Sequence, residues 1–108
     1  MKTLKVVGTL LLLAGASFAQ NLDVDFAIDE DGQAAGCGGA TVIGLDRNGD
    51  GFLSVRTGPG TAFSKIDELR NGDGVRTCAQ SGQRYGVYYG NPRRKGWVHG
   101  NWLGGWAG

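Results

Sequence analysis

The stretch that decides the fold is Phe52-Leu53-Ser54-Val55-Arg56-Thr57-Gly58-Pro59-Gly60. Its first five residues read as a short strand, with Leu53 and Val55 alternating against Ser54 and Arg56. The next four read as a turn. Gly58 and Gly60 flank Pro59, which suits a sharp loop whose end residues need unusual backbone angles. The same alternation of strand and turn continues in both directions. Upstream, Asn48-Gly49-Asp50-Gly51 predicts a hairpin turn, and Ala40–Asp46, rich in β-branched residues, predicts the strand before it. Downstream, Thr61–Ser64 bridges to Lys65–Leu69, and Asn71-Gly72-Asp73-Gly74 repeats the turn chemistry. Val75–Ala79, Tyr85–Tyr89 and Gly96–His99 follow as strands, the last two separated by a basic turn at Gly90–Lys95. Asn101-Trp102-Leu103 predicts a one-turn helical stop, and little fixes the tail Gly104–Gly108. No long helix fits after Ala19. Short strands punctuated at this spacing predict a small β-barrel or sandwich.

The chain has 108 residues, enough for one small domain, with a formal net charge of +1. Glycine contributes 21 residues, almost three times the usual share of roughly 7%. Such a balance excludes a nucleic-acid binder driven by bulk basicity. The glycines have no three-residue period, so a collagen is excluded too. Two cysteines cannot build a four-Cys zinc site, and any Ser-His-Asp enzyme would have to use the lone histidine, His99.

Met1–Ala19 reads as a signal peptide. Lys2 and Lys5 open it, residues 6–16 are apolar, and Ser17 and Ala19 offer small residues at the −3 and −1 positions. Cleavage after Ala19 leaves Gln20 at the mature N-terminus and places the protein in the periplasm or outside the cell. A membrane anchor is the other reading, but the apolar run is short for spanning a bilayer. A lipid anchor would need Cys where Ala16 stands. Residues 20–36 form an acidic leader and residues 37–108 the domain. From Gln20 to Gly51 seven acids face Arg47 alone, whereas residues 52–108 carry eight basic and three acidic side chains. The simpler reading of this asymmetry is a solvated leader beside an ordinary mixed surface. The sharper one folds the leader back over the basic face. Leu22, Val24, Phe26 and Ile28 alternate with Asp23, Asp25 and Ala27, so either an edge strand or a flexible leader fits.

Export also interprets the cysteines. Cys37 and Cys78 form an even pair bound for an oxidising compartment, which predicts one disulfide. It closes a loop of about 42 residues and is worth up to ~4 kcal/mol in the chain-entropy model. A redox-active thiol is disfavoured, because neither Cys lies in a Cys-x-x-Cys pair or beside a basic cluster.

These residues resemble a known family. Phe52–Gly60 is similar to the "L-N-V-R-x-G-P-G" segment of the bacterial SH3 (SH3b) family. Phe63, Ile66–Leu69 and Asn71-Gly72-Asp73 resemble its "Y-x-x-I-x-x-L-x-x-G-D" continuation. Gly96-Trp97-Val98 matches its closing "G-W-V", with Trp102-Leu103 where a "Y-L" pair usually stands. The resemblance spans residues 40–103. It implies an all-β, SH3-like barrel of five to seven short strands, with Val55, Ile66, Leu69, Val75, Val87 and Val98 in its core. The family often has Trp just before the Tyr85 position; here it is Arg84, which puts any ligand contact by that Trp in doubt.

Three candidate sites follow. Asp46-Arg47-Asn48-Gly49-Asp50-Gly51 matches half of an EF-hand loop, but Thr57 stands where the twelfth-position Glu belongs and the flanks are strands, so a turn outweighs a metal site. His99 has no nucleophile motif beside it. By the resemblance, His99 and Trp102 are groove residues. Tyr85, Tyr89 and Trp97 read as core or half-buried, whereas Phe63, Tyr88, Trp102 and Trp106 are expected exposed. Rigid aromatics near Arg suit peptide or sugar binding, and Arg56, Arg93, Arg94 and Lys95 are suited to carboxylates; the Arg93-Arg94-Lys95 run also reads as a plain solvated turn. The expected ligand residues are therefore Phe63, Tyr88, Arg94, His99 and Trp102, in a groove between the Thr57–Ser64 loop and the Gly90–Lys95 turn. The resemblance implies a non-catalytic module, without cofactor or metal, that binds cell-wall peptidoglycan or a peptide. The alternative is an envelope protein-protein module such as an inhibitor or immunity protein. The expected partners include neither nucleic acid nor a membrane interior, and the expected state is a monomer.

Overall fold

The computed structural model describes residues 21–27 and 37–107. The expected signal peptide, Ile28 and the rest of the leader to Gly36 lie outside the described residues. Among the described residues the fold is all-β apart from one 3-10 turn. Strands β1 (Gly38–Val42), β2 (Leu53–Arg56), β3 (Lys65–Leu69), β4 (Gly74–Ser81), β5 (Arg84–Tyr89), β6 (Arg94–His99) and β7 (Leu103–Ala107) form one antiparallel sheet. Its order is β3-β2-β6-β5-β4-β1-β7, so β3 and β7 are unpaired edges and the sheet is not closed.

Alternation along the strands builds the core. Val55, Val87 and Val98 are completely or almost completely buried, and Leu53, Leu69, Val75, Tyr89 and Leu103 join them with Ala40 and Val42. Tyr85 packs against this cluster at partial burial. Ile66, expected in the core, is 40% exposed. It sits on edge strand β3, which has a neighbour on one side only, so nothing covers its outer flank. Burial of the Tyr89 ring leaves its hydroxyl to find a partner. It donates to Asp67 Oδ2 at 2.8 Å, and Arg94 pairs with the same carboxylate at 3.1 Å, tying β3 to β5 and β6.

The turns form where their chemistry predicts, but the pairing differs. The Asn48–Gly51 turn is present: Asp46 Oδ1 accepts from the Asn48 amide, and Gly51 takes φ +71°. It is not a hairpin, because β1 pairs with β4 and β7 rather than β2. The Asn71–Asp73 turn likewise joins two strands that do not pair. Its backbone instead exchanges hydrogen bonds with Val42, and the Asn71 amide clasps both backbone polar groups of Leu45. The one-turn stop is real, a 3-10 helix at Gly100–Trp102. The tail, whose composition predicted little to fix it, is held instead. Residues 103–107 run on as β7 along β1.

The disulfide joins Cys37 and Cys78. Gly38 lies opposite Thr77 in the β1–β4 ladder, so the two cysteines flank a paired position and the bond staples that ladder at its end. Among the described residues no helix is long and apolar enough to cross a membrane.

Candidate functional site

One face of the β2-β6-β5-β4 region carries the chemistry. Because successive side chains alternate, burying Val98, Val87 and Val55 turns their neighbours outward. The register places Arg56 opposite Trp97, Trp97 opposite Gly86, His99 opposite Arg84 and Lys95 opposite Tyr88. Ser54, Arg56, Arg84, Gly86, Tyr88, Lys95, Trp97 and His99 therefore share this outer face.

A cleft of about 230 Å³ opens on it, lined by Asp50, Phe52, Ser54, Arg56, Thr61, Arg84, Trp97, His99 and Trp102, among others. Trp102 follows the end of β6 on the 3-10 turn and leaves 39% of its surface exposed. His99 caps that turn: its Nδ1 accepts the Asn101 amide at 3.1 Å. With Nδ1 accepting, a neutral imidazole carries its proton on Nε2, so His99 offers a donor. Arg56 reaches back to the Phe63 carbonyl at 2.9 Å, which fixes its guanidinium beside the Thr57–Ser64 loop. Arg84 makes no ion pair among the described residues. Donors thus dominate the lining: two guanidiniums, the Ser54 and Thr61 hydroxyls and the His99 imidazole, against one carboxylate, Asp50. Such a site suits a ligand rich in carboxylate or carbonyl oxygens, with aromatic surface for its apolar part.

The expected ligand residues do not converge as a set. His99 and Trp102 do. Phe63 is half-buried, its ring lying against Gly58 so closely that a Cβ there would stand 2.4 Å from Cδ1; only its carbonyl reaches toward the cleft, through Arg56. Tyr88 is buried rather than exposed, at 8%. The Arg93 guanidinium covers its ring at 4.8 Å, and Tyr88 lines a separate, shallow concavity of about 460 Å³ with Arg76 and Arg93. Arg94 is committed to Asp67 and faces another hollow with Glu68 and Asp73. Trp106, as expected, is exposed, at 51%, and leans on Tyr85. Sequence reasoning missed Phe52, Thr61 and Arg84 as cleft residues. Arg84 carried a signal, since it occupies the position where the family often has Trp.

The expected groove between the Thr57–Ser64 loop and the Gly90–Lys95 turn is not open, because residues 23–26 of the acidic leader lie there. Over its described residues, 21–27, the leader takes the fold-back reading rather than the solvated one, and without forming a strand. The Val24 amide donates to the Thr57 carbonyl at 3.1 Å, and the Trp97 indole N–H donates to the Val24 carbonyl at 2.7 Å. The Thr57 hydroxyl donates to Asp23 at 2.6 Å. Lys95 pairs with Asp25 at 2.7 Å and donates to the Phe26 carbonyl at 3.0 Å. The Asp25 carboxyl is held below the usual range, first by the Lys95 hydrogen bond and then by the Phe26 amide. Phe26 stands edge-on to Trp97, centroids 5.5 Å apart, and rests on Gly86. Trp97 points outward from the sheet yet is only 4% exposed, because this strap covers it.

The fold and cleft define an all-β module with a donor-rich, aromatic-flanked surface site and a strap across the same face. No family model matches the chain, and no curated protein and no solved structure matches it significantly.

Proposed function

We propose that the protein is a non-catalytic, extracytoplasmic binding module that recognises peptidoglycan through the carboxylate-bearing peptide stems. We read its sheet as an SH3-like barrel left open between β3 and β7, on the motif resemblance together with the strand number and the 3-10 turn before the last strand. The observation that carries the function is the convergence of Trp102, His99, Arg56 and Arg84 on one cleft. Arginines in a partly enclosed site bind carboxylates with two-point geometry, and Trp gives rigid contact area at low entropy cost. A binding role is further supported by the position of the lone histidine. Its Nδ1 accepts the Asn101 amide, so a neutral ring keeps Nε2–H as a donor at the cleft.

The test is co-sedimentation of the full mature protein with insoluble sacculi, with Trp102→Ala alongside. The expected result is saturable sedimentation that weakens about tenfold or more in the variant, as loss of a binding-site Trp costs at least ~1.4 kcal/mol. Absence of sedimentation at low salt overturns the wall reading, and binding unaffected by Trp102→Ala overturns the site. A one-to-one complex with an envelope protein, without wall binding, would instead favour the inhibitor or immunity-protein alternative.

A further inference from the structure

We propose that the surface beneath residues 23–26 is a second peptide site. It takes a protein segment of the pattern acidic–x–acidic–aromatic, in which the second residue is read through its backbone alone, and the chain's own strap occupies it in the free protein. The recognition is written in the contacts. The second residue is caught at both backbone groups, its amide by the Thr57 carbonyl and its carbonyl by the Trp97 indole. The flanking acids each meet a donor, Asp23 the Thr57 hydroxyl and Asp25 the Lys95 ammonium. The aromatic ring stands on Gly86, with Trp97 as its wall. Gly86 is the necessary complement: a Cβ there would lie 2.7 Å from Phe26 Cε1 and 3.0 Å from the Ala79 Cβ.

Two features make the occupant exchangeable. The strap adds no strand to the sheet, and a single backbone–backbone hydrogen bond joins it to the domain among the described residues. What holds it is side-chain recognition, which a different chain of the same pattern reproduces. Arg56, Arg84 and Lys95 share the face, so an acidic segment is attracted to it over a distance. A tethered segment competes at an effective concentration on the order of millimolar. An outside segment therefore wins when the strap's aromatic anchor is weakened, or when its own protein adds contacts elsewhere. This site adjoins the Trp102 cleft and shares Trp97 with it, and the Trp102 indole tells the two apart because the strap does not touch it.

The experiment uses the full mature chain carrying Phe26→Ala, labelled with nitrogen-15, and a blocked synthetic peptide of residues 21–27, Asn-Leu-Asp-Val-Asp-Phe-Ala. The expected result is a saturable shift of the Trp97 Nε1–H resonance, with a dissociation constant in the millimolar range or tighter. A peptide with Ala for its Phe, or Asn for both Asp, should bind about tenfold more weakly or worse. Asp23→Asn/Asp25→Asn is the second variant, at exposed positions, should Phe26→Ala not fold. The proposal is overturned if neither folded variant shows a Trp97 shift at peptide concentrations on the order of 5 mM. It is equally overturned if the peptide moves Trp102 and not Trp97, or if both variants unfold, because the strap would then be a fixed part of the fold.

Discussion

Gly86 shows how one residue decides what a sheet face can hold. It stands between Tyr85 and Val87 in a strand where a side chain would ordinarily cover the sheet, and its bare backbone is where Phe26 rests. Gly86→Ala is expected to lift the strap while the core stays intact. Trp97 emission should then shift to the red, and stability should fall by about 1–3 kcal/mol, the usual cost of forcing a methyl group into filled space. Retained protection of the Trp97 indole in this variant would contradict the contact. Trp102→Ala tests the opposite kind of residue. With 39% of its surface exposed, the side chain contributes little to the core, so its loss should change stability by less than about 1 kcal/mol while sacculus binding falls. Burial at this scale was partly legible in the sequence. Alternation placed Val55, Val87 and Val98 correctly. It gave no warning that Tyr88, on the outer face, is buried under Arg93, or that Ile66 lies on an uncovered edge strand.

At the scale of elements, local chemistry and long-range pairing parted company. Asn48–Gly51 turns as its residues require, yet a turn's dihedral preferences say nothing about which strand lies alongside, and β1 found β4 and β7 instead of β2. Leu103–Ala107 has two glycines and no β-branched residue, so its strand conformation comes from the β1 ladder rather than from propensity. The strap was undecidable from sequence for a related reason: Phe26 and Trp97 are far apart in the chain, and both leader readings satisfy the same alternation. Its ionic contacts predict a pH dependence. The Asp25 carboxyl titrates lower when the strap is docked than in a free chain, so its contribution is complete above the free-chain value and disappears as pH falls through the docked one. Strap release is thus expected below roughly pH 4, read as Trp97 exposure. Glu68, held low mainly by Lys65 on edge strand β3, loses its pairing in the same acid range, but that change does not touch Trp97. Trp97 protection unchanged down to pH 2.5 would contradict the ionic account of docking.

For the molecule as a whole, a short chain with an open sheet needs a covalent staple. The Cys37–Cys78 bond closes a loop with a sequence separation of 41, which corresponds to ~4 kcal/mol of chain entropy at most. Reduction, or Cys37→Ser/Cys78→Ser, should lower unfolding free energy by about 2–4 kcal/mol, measured by urea denaturation. No change would mean that the reduced chain is restrained by other means. The pairing was legible because the sequence offers two cysteines, an even pair, behind a stretch that reads as an export signal. The cleft was legible only in part: His99 and Trp102 lie close together in sequence, whereas Phe52, Thr61 and Arg84 reach it from other strands and loops. Exposed charges are screened by salt, so binding through Arg56 and Arg84 should weaken between low and physiological ionic strength.

The three tryptophans provide the most direct test: Trp102 reports the cleft, Trp97 the wall that cleft and strap share, and Trp106 the β7 edge. A soluble peptidoglycan fragment with an intact peptide stem, titrated into the nitrogen-15-labelled mature protein, should shift the Trp102 indole resonance saturably. The Trp97 indole N–H, bonded to the Val24 carbonyl at the wall of the cleft, should shift less, and Trp106 should stay in place. Movement of Trp106 alone, or of none of the three, would contradict the account.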